Sequence, residues 1–228
     1  MALHQPLPQK TERVQIGTTA LPGVLALPSR CVGLVVFVHG SGSSRNSPRN
    51  QFVAQVMHSY GLGTLLMDLL TEPEAMDRRK AFDIDLLGAR VMQTLQWLGA
   101  RKGFERLPVG LFGASTGAAA ALVAAAQKPT QVNALVSRGG RPDLADIYLA
   151  SVRAPTLLIV GGQDHDVLEL NRRALDALSC PKKLEIVPGA THLFEEPGAL
   201  DIAASLAGHW FEHHLSSADT QLAFKAST

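Results

Sequence analysis

The chain has 228 residues, 46% apolar and 18% charged, and its 21 basic and 20 acidic side chains give a formal net charge of +1. It is long enough for a substantial core, too apolar for disorder, and too evenly charged to suggest nucleic acid or a membrane surface as a partner. No apolar run approaches the ~20 residues of a membrane-spanning helix. The start of the chain (MALHQPLPQKTER) lacks the basic stretch and apolar core of a secretory leader. Cys31 and Cys180 are far apart in sequence and read as buried free thiols, so a cytoplasmic location is expected.

In chain order, Val14–Ile16 and Val24–Leu27 read as an opening antiparallel hairpin, joined through Thr18, Pro22 and Gly23. Leu34–Val38 (LVVFV) is continuously apolar, as a strand buried on both faces is. Ser47-Pro48 supplies an N-cap and a proline at the first helical position, and that helix is expected to reach Tyr60. Thr64–Met67 is the next buried strand. Thr71–Lys80 reads as a polar, charged loop, and Ile84–Leu98 as an amphipathic helix. Strands are then expected at Pro108–Phe112, Val132–Val136, Thr156–Val160 and Leu184–Val187. Helices are expected at Ala118–Ala126, Leu144–Leu149, Leu168–Leu178 and Ala199–His214. Buried strands alternating with helices argue for an α/β fold with a doubly wound, mostly parallel sheet. Residues 1–214 are expected to form one domain, and 215–228 a loosely held C-terminal tail.

Three motifs stand at expected strand ends. The first is Gly113-Ala114-Ser115-Thr116-Gly117, between the strand PVGLF and the alanine-rich run AAAALVAAA. A turn that sharp strains the serine backbone, and its glycines let neighbouring backbones pass. A serine hydroxyl is a weak nucleophile without a base in hydrogen-bond reach and a group that fixes the tautomer of that base. Gly161-Gly162-Gln163-Asp164 follows the strand TLLIV, and Pro188-Gly189-Ala190-Thr191-His192 follows LEIV. Ser115, Asp164 and His192 therefore occur in the order nucleophile, acid, base. Asp166 and Asp143 remain competitors for the acid, Asp166 reading more simply as a first-turn anion. The third motif is His39-Gly40-Ser41-Gly42, directly after LVVFV. It offers the Ser41 main-chain N–H, with that of Thr116, as an oxyanion hole. His39 then reads as structural.

These motifs together resemble the α/β-hydrolase superfamily, and more narrowly its small, cap-less, dienelactone-hydrolase-like branch. The resemblance runs from the opening hairpin to the helix after His192. It implies a serine hydrolase acting on a small ester or thioester through an acyl-enzyme, with no cofactor and no metal. Dienelactone hydrolases proper carry cysteine where this chain has Ser115, which points away from a lactone and toward ordinary esters or thioesters. Only Ser137–Ala154 separates two strands where members of the superfamily insert a cap, so the site is expected to be open, roofed at most by Leu69–Phe82 and Arg138–Leu149. A non-catalytic small-molecule-binding protein and an acyltransferase are the alternatives.

Arg45 and Arg49 flank a helix start, where a cation opposes the helix dipole. They are candidates for binding an anionic substrate, with Arg138 and Arg141 able to join them. The plainer reading pairs Arg49 with a nearby carboxylate. No G-x-x-x-x-G-K-[ST] loop is present, and Gly61-Leu62-Gly63 precedes a strand rather than opening a helix, so nucleotide cradles are not expected. His209 and His213 lack the glutamate of an HExxH zinc motif. Oligomeric state is not legible in the sequence.

Overall fold

The structure, a computed structural model, describes residues 9–216, so the expected C-terminal tail lies outside the described residues except at positions 215 and 216. β1 (Gln9–Ile16) and β2 (Leu21–Pro28) form the opening antiparallel hairpin, longer at both ends than the apolar pattern suggested. The remaining strands are β3 (Gly33–Val38), β4 (Leu62–Met67), β5 (Val109–Ala114), β6 (Ala134–Arg138), β7 (Thr156–Gly161) and β8 (Lys182–Val187). All belong to one sheet in the order β1-β2-β4-β3-β5-β6-β7-β8. β2 pairs antiparallel with β4, and every pairing from β4 to β8 is parallel.

Period-two alternation sorts the strand residues into two cores. Leu34, Val36, Val38, Leu111, Leu135 and Leu158 face helices α3 (Ile84–Gly99) and α4 (Thr116–Gln127). Val35, Phe37, Phe112, Val136 and Ile159 face α1 (Pro48–Ser59) and α6 (Ala199–Leu215). Helix α5 (His165–Ala177) covers the β7–β8 end. Among the described residues no helix is long and apolar enough to cross a membrane.

Two segments differ from the sequence reading. The polar stretch after β4 is not all loop: it holds the short helix α2 (Glu72–Ala75) and a 3-10 turn at Lys80–Phe82. Thr71 and Glu74 form a capping box, with proline in the first turn, which is a start signal present in the letters T-E-P-E. The strand expected at Val132–Val136 instead runs from Ala134 to Arg138. The first part of the expected strand is used locally: Asn133 accepts the Val109 N–H on its side chain (2.9 Å) and donates its own N–H to the Val109 carbonyl (2.8 Å). Polar Ser137 and Arg138 are drawn into the sheet by pairing with Gly113 and Ala114 on one side and Leu158 and Ile159 on the other. The segment expected as a helix at Leu144–Leu149 is a kinked 3-10 stretch, Pro142–Ser151.

Candidate active site

Parallel pairing brings the C-terminal ends of β3 through β8 to one edge of the sheet. The chain leaves β3 for β4 on one side and then crosses back from β4 to β5 on the other, and the crevice at such a reversal is where open α/β sheets bind ligands. Ser41 follows β3 and Ser115 follows β5, so the two candidate motifs flank that crevice.

Ser115 has φ 51° and ψ −124°, a conformation a side-chain-bearing residue adopts only under constraint. The constraint is visible in the backbone bonds. Its N–H donates to the Arg138 carbonyl (3.3 Å), and its own carbonyl accepts the N–H groups of Ala118 and Arg141, each at 3.1 Å. The turn also relies on missing side chains. A Cβ on Gly117 would overlap the main-chain oxygens of Val38 and His39, and one on Gly113 would press into Ala118.

His192 and Asp164 meet across the ends of β8 and β7, Nδ1 to Oδ2 at 2.7 Å, with side chains 38% and 14% exposed. The loops carrying them are stitched together: Gly162 N–H donates to the Val187 carbonyl and Gln163 N–H to that of Ala190, both at 2.9 Å. Asp164 is the N-cap of α5, yet its carboxylate makes no cap bond there. It faces His192 instead, while Asp166 supplies the first-turn charge. Asp143 is engaged elsewhere, bidentate on Arg141 at 2.8 and 2.7 Å. Among the described residues Ser115 Oγ makes no side-chain hydrogen bond, so the histidine–carboxylate pair is formed without the serine.

His39 is fixed by the main chain. Nδ1 lies 2.9 Å from the Gly40 carbonyl oxygen, and Nε2 accepts the Leu69 N–H at 3.2 Å. Accepting that bond requires a bare Nε2, hence the neutral ring, and burial pushes its pKa down accordingly. The Ser41 N–H donates to Thr116 Oγ1 at 2.9 Å, so in this structure the second candidate oxyanion donor is occupied by a threonine hydroxyl. A cleft of about 590 Å³ opens beside Ser41, lined also by His39, Arg45, Asp68 and Leu69. That volume is in the range of small-molecule pockets, but Ser115, Asp164 and His192 are not among the residues that line it.

Of the arginines, Arg45 is tied to Asp68, through its N–H (2.7 Å) and its guanidinium. Arg49 reaches across to Glu195 (2.9 Å) in an exposed pair, as the plainer reading held. Among the described residues Arg138 has no such partner. Among the described residues no group of three or more His, Cys, Asp or Glu side chains is arranged to hold a metal.

A model of the dienelactone hydrolase family matches residues 52–215. The chain belongs to that family. Its structure resembles the crystal structure of a dienelactone hydrolase from Anabaena variabilis, at 51% identity and a TM-score of 0.87, over 92% of this chain and 99% of that one. Est1E from Butyrivibrio proteoclasticus shares the fold at 14% identity, with a TM-score of 0.76 over 91% and 99% of the two chains. A Mycobacterium tuberculosis protein provisionally named a phosphoribosyl transferase is 54% identical over 210 residues, or 91% of this chain. The match covers 47% of that protein, so the chain spans about half the length of the curated relative.

For a dienelactone hydrolase family member, three features of this site were not read from the sequence. Asp68, just past β4, takes up the charge of Arg45. Phe194, two residues after His192, is buried with φ 56°. Arg138 is buried at the end of its strand instead of lying in the loop beyond. The first depends on a contact between residues 23 positions apart. The other two depend on where a strand and a turn end, which composition does not signal.

Proposed function

We propose that this protein is a serine hydrolase of small esters or thioesters, with Ser115 as nucleophile, His192 as general base and Asp164 as the group that orients the imidazole. The observation carrying the reading is the 2.7 Å pair between His192 Nδ1 and Asp164 Oδ2, at the same sheet edge as a serine at positive φ. A carboxylate on Nδ1 leaves Nε2 as the acceptor, which is the tautomer a base needs to take the proton of Ser115. Attack on the carbonyl then gives a tetrahedral oxyanion. The N–H of Thr116, first residue of α4, has no intrahelical partner and faces that charge as one donor. The Ser41 N–H becomes the second when the Thr116 hydroxyl turns away from it. Collapse expels the alcohol or thiol with the proton from His192, and water activated by the same histidine releases the acid.

The transferase name of the mycobacterial relative belongs to a protein about twice the length of the matched segment, and the side chains gathered here suit acyl chemistry. Acyl transfer differs from hydrolysis only in the acceptor that meets the acyl-enzyme. A binding protein without catalysis is the other alternative.

Ser115→Ala is expected to lower turnover of p-nitrophenyl esters by about 10³-fold or more and to abolish labelling by a fluorophosphonate, which reacts only with an activated serine. A variant that retains a tenth of wild-type turnover and still labels would overturn the assignment.

A further inference from the structure

Four arginines stand at the active-site edge of the sheet, and their environments differ in kind. Arg45 has Asp68, Arg141 has Asp143 and Arg49 has Glu195. Arg138 makes no ion pair or side-chain hydrogen bond among the described residues, although only 7% of it is exposed. Its Nε and one terminal nitrogen are shut off from solvent with no acceptor. Strand parity puts the side chain on the α1/α6 face with Ala134 and Val136. Against it lies the Phe194 ring, 5.6 Å from the guanidinium carbon. An aromatic face attracts a cation but neutralises no charge.

An unpaired charge in such a setting is costly even after the surroundings relax. Here a second cation adds to it: burial first, and then the neighbouring Arg49, push the Arg138 pKa down to about 10. Arg49 pairs with Glu195, the residue after the Phe194 that lies against Arg138, so the two guanidiniums fall in one corner of the site, an arrangement suited to an anion. Arg49 is held only by the exposed Glu195, a carboxylate it can exchange for another at little cost. The spot is also next to the chemistry. The Arg138 carbonyl holds the Ser115 N–H, and Phe194 and Glu195 lie two and three residues after His192. The positive φ of Phe194 is an unfavourable conformation for a residue with a side chain, and it is held in place at this point.

We infer that Arg138 and Arg49 form an anion subsite that binds a carboxylate or phosphate carried by the substrate near its scissile carbonyl. Arg138 presents a planar fork to two oxygens of the anion, and Arg49 leaves Glu195 to close on it from the surface. The substrate class is then a small ester or thioester bearing a negative charge, and the specificity lies on the His192 side of the crevice instead of at Arg45. This inference rests on the assignment of Ser115 as nucleophile, so its test has one arm that needs no turnover.

The first arm compares kcat/KM for p-nitrophenyl butyrate, p-nitrophenyl hemisuccinate and the p-nitrophenyl ester of 3-phosphonopropionate in wild type, Arg138→Met and Arg49→Gln. Wild type is expected to favour at least one anionic ester, and the preferred one tells carboxylate from phosphate. The anionic-to-neutral ratio is expected to fall by about 30-fold or more in Arg138→Met, the loss typical of a buried charge pair, and by less in Arg49→Gln. The second arm measures the thermal midpoint with succinate or inorganic phosphate added, at matched ionic strength. One of the two is expected to stabilise wild type and to lose that effect in Arg138→Met. If Arg138→Met does not fold, Arg49→Gln, a surface change, decides both arms. Equal ratios in wild type and variants, or no preference in wild type, would overturn the subsite. If no ester is turned over by any form, the nucleophile reading fails, and the midpoint arm alone upholds or overturns the subsite.

Discussion

Replacing Gly117 by alanine tests whether the backbone around Ser115 and the loop after β3 are one mechanical unit. A Cβ at position 117 would sit 2.7 Å from the His39 carbonyl carbon and closer still to the Val38 and His39 oxygens. These are main-chain atoms at the end of a strand buried on both faces, so no side-chain rotation relieves the overlap. Helix α4 has to retreat, or the loop carrying Ser41 has to move, by about 1 Å, a displacement that can cost on the order of 10²-fold in turnover. The accompanying overpacking is expected to cost about 1–3 kcal/mol of stability. Gly99→Ala is the matched control: nothing lies within 4 Å of its Cβ, and it closes a helix. That variant is expected to be as stable as wild type or more stable by up to about 1 kcal/mol. Urea unfolding and kcat on p-nitrophenyl acetate measure both effects. Wild-type stability in Gly117→Ala would refute the steric argument. A large loss of stability with unchanged kcat would refute the role given to the Ser41 loop.

Asp164→Asn is expected to lower kcat by about 10³- to 10⁴-fold, whereas Asp143→Asn and Asp166→Asn stay within about tenfold, because Asp143 is bound to Arg141 and only Asp164 touches His192. If Asp143→Asn is the worst of the three, the acid assignment is wrong. A pH effect on stability is expected from His58, buried against the Thr64 hydroxyl at 2.9 Å, whose pKa burial lowers from 6.5 to about 4. The unfolded chain takes up this proton first, so the contribution is intact above pH 6.5 and declines as pH falls from there toward 4, by about 2 kcal/mol at pH 5. Urea unfolding at pH 7 and pH 5 should therefore show a larger acid loss in wild type than in His58→Gln, and identical losses would contradict it. His39, shifted in the same direction, contributes equally to both proteins.

The elements legible in the sequence were those with long-range consequences written locally. LVVFV and TLLIV can only be strands covered on both faces, and Ser47-Pro48 sets a helix start that the structure reproduces to the residue. The motif residues could be placed because each lies past an expected strand: Ser41, Ser115 and Asp164 past strands that are largely buried, and His192 past the partly exposed edge strand β8, with parallel pairing bringing these strand ends to one edge. What escaped was set by partners distant in sequence. Val132–Val136 is apolar enough to be a strand, but register with β5 and β7 moved the strand on by two residues and drew in Arg138. The capping box at Thr71 and Glu74 was readable, yet the charge of the surrounding stretch masked a helix of four residues. That Ser41 would give its N–H to a hydroxyl 75 positions away has no local signal.

The composition of α4 has a consequence for how Ser115 is held. Its sequence, TGAAAALVAAAQ, is buried over nearly its whole length between the sheet, α3 and the 3-10 stretch, and most of that surface is alanine. A buried alanine surrenders no rotamer freedom, so docking this helix orders few side chains beyond Leu122 and Val123. It also leaves no alternative packing to visit, since a methyl group has no second rotamer. The mount of Ser115 is thus close to a rigid rod between rigid neighbours. The direction in which Ser115 points is decided by main-chain geometry, with almost no side-chain fluctuation beneath it to blur the aim.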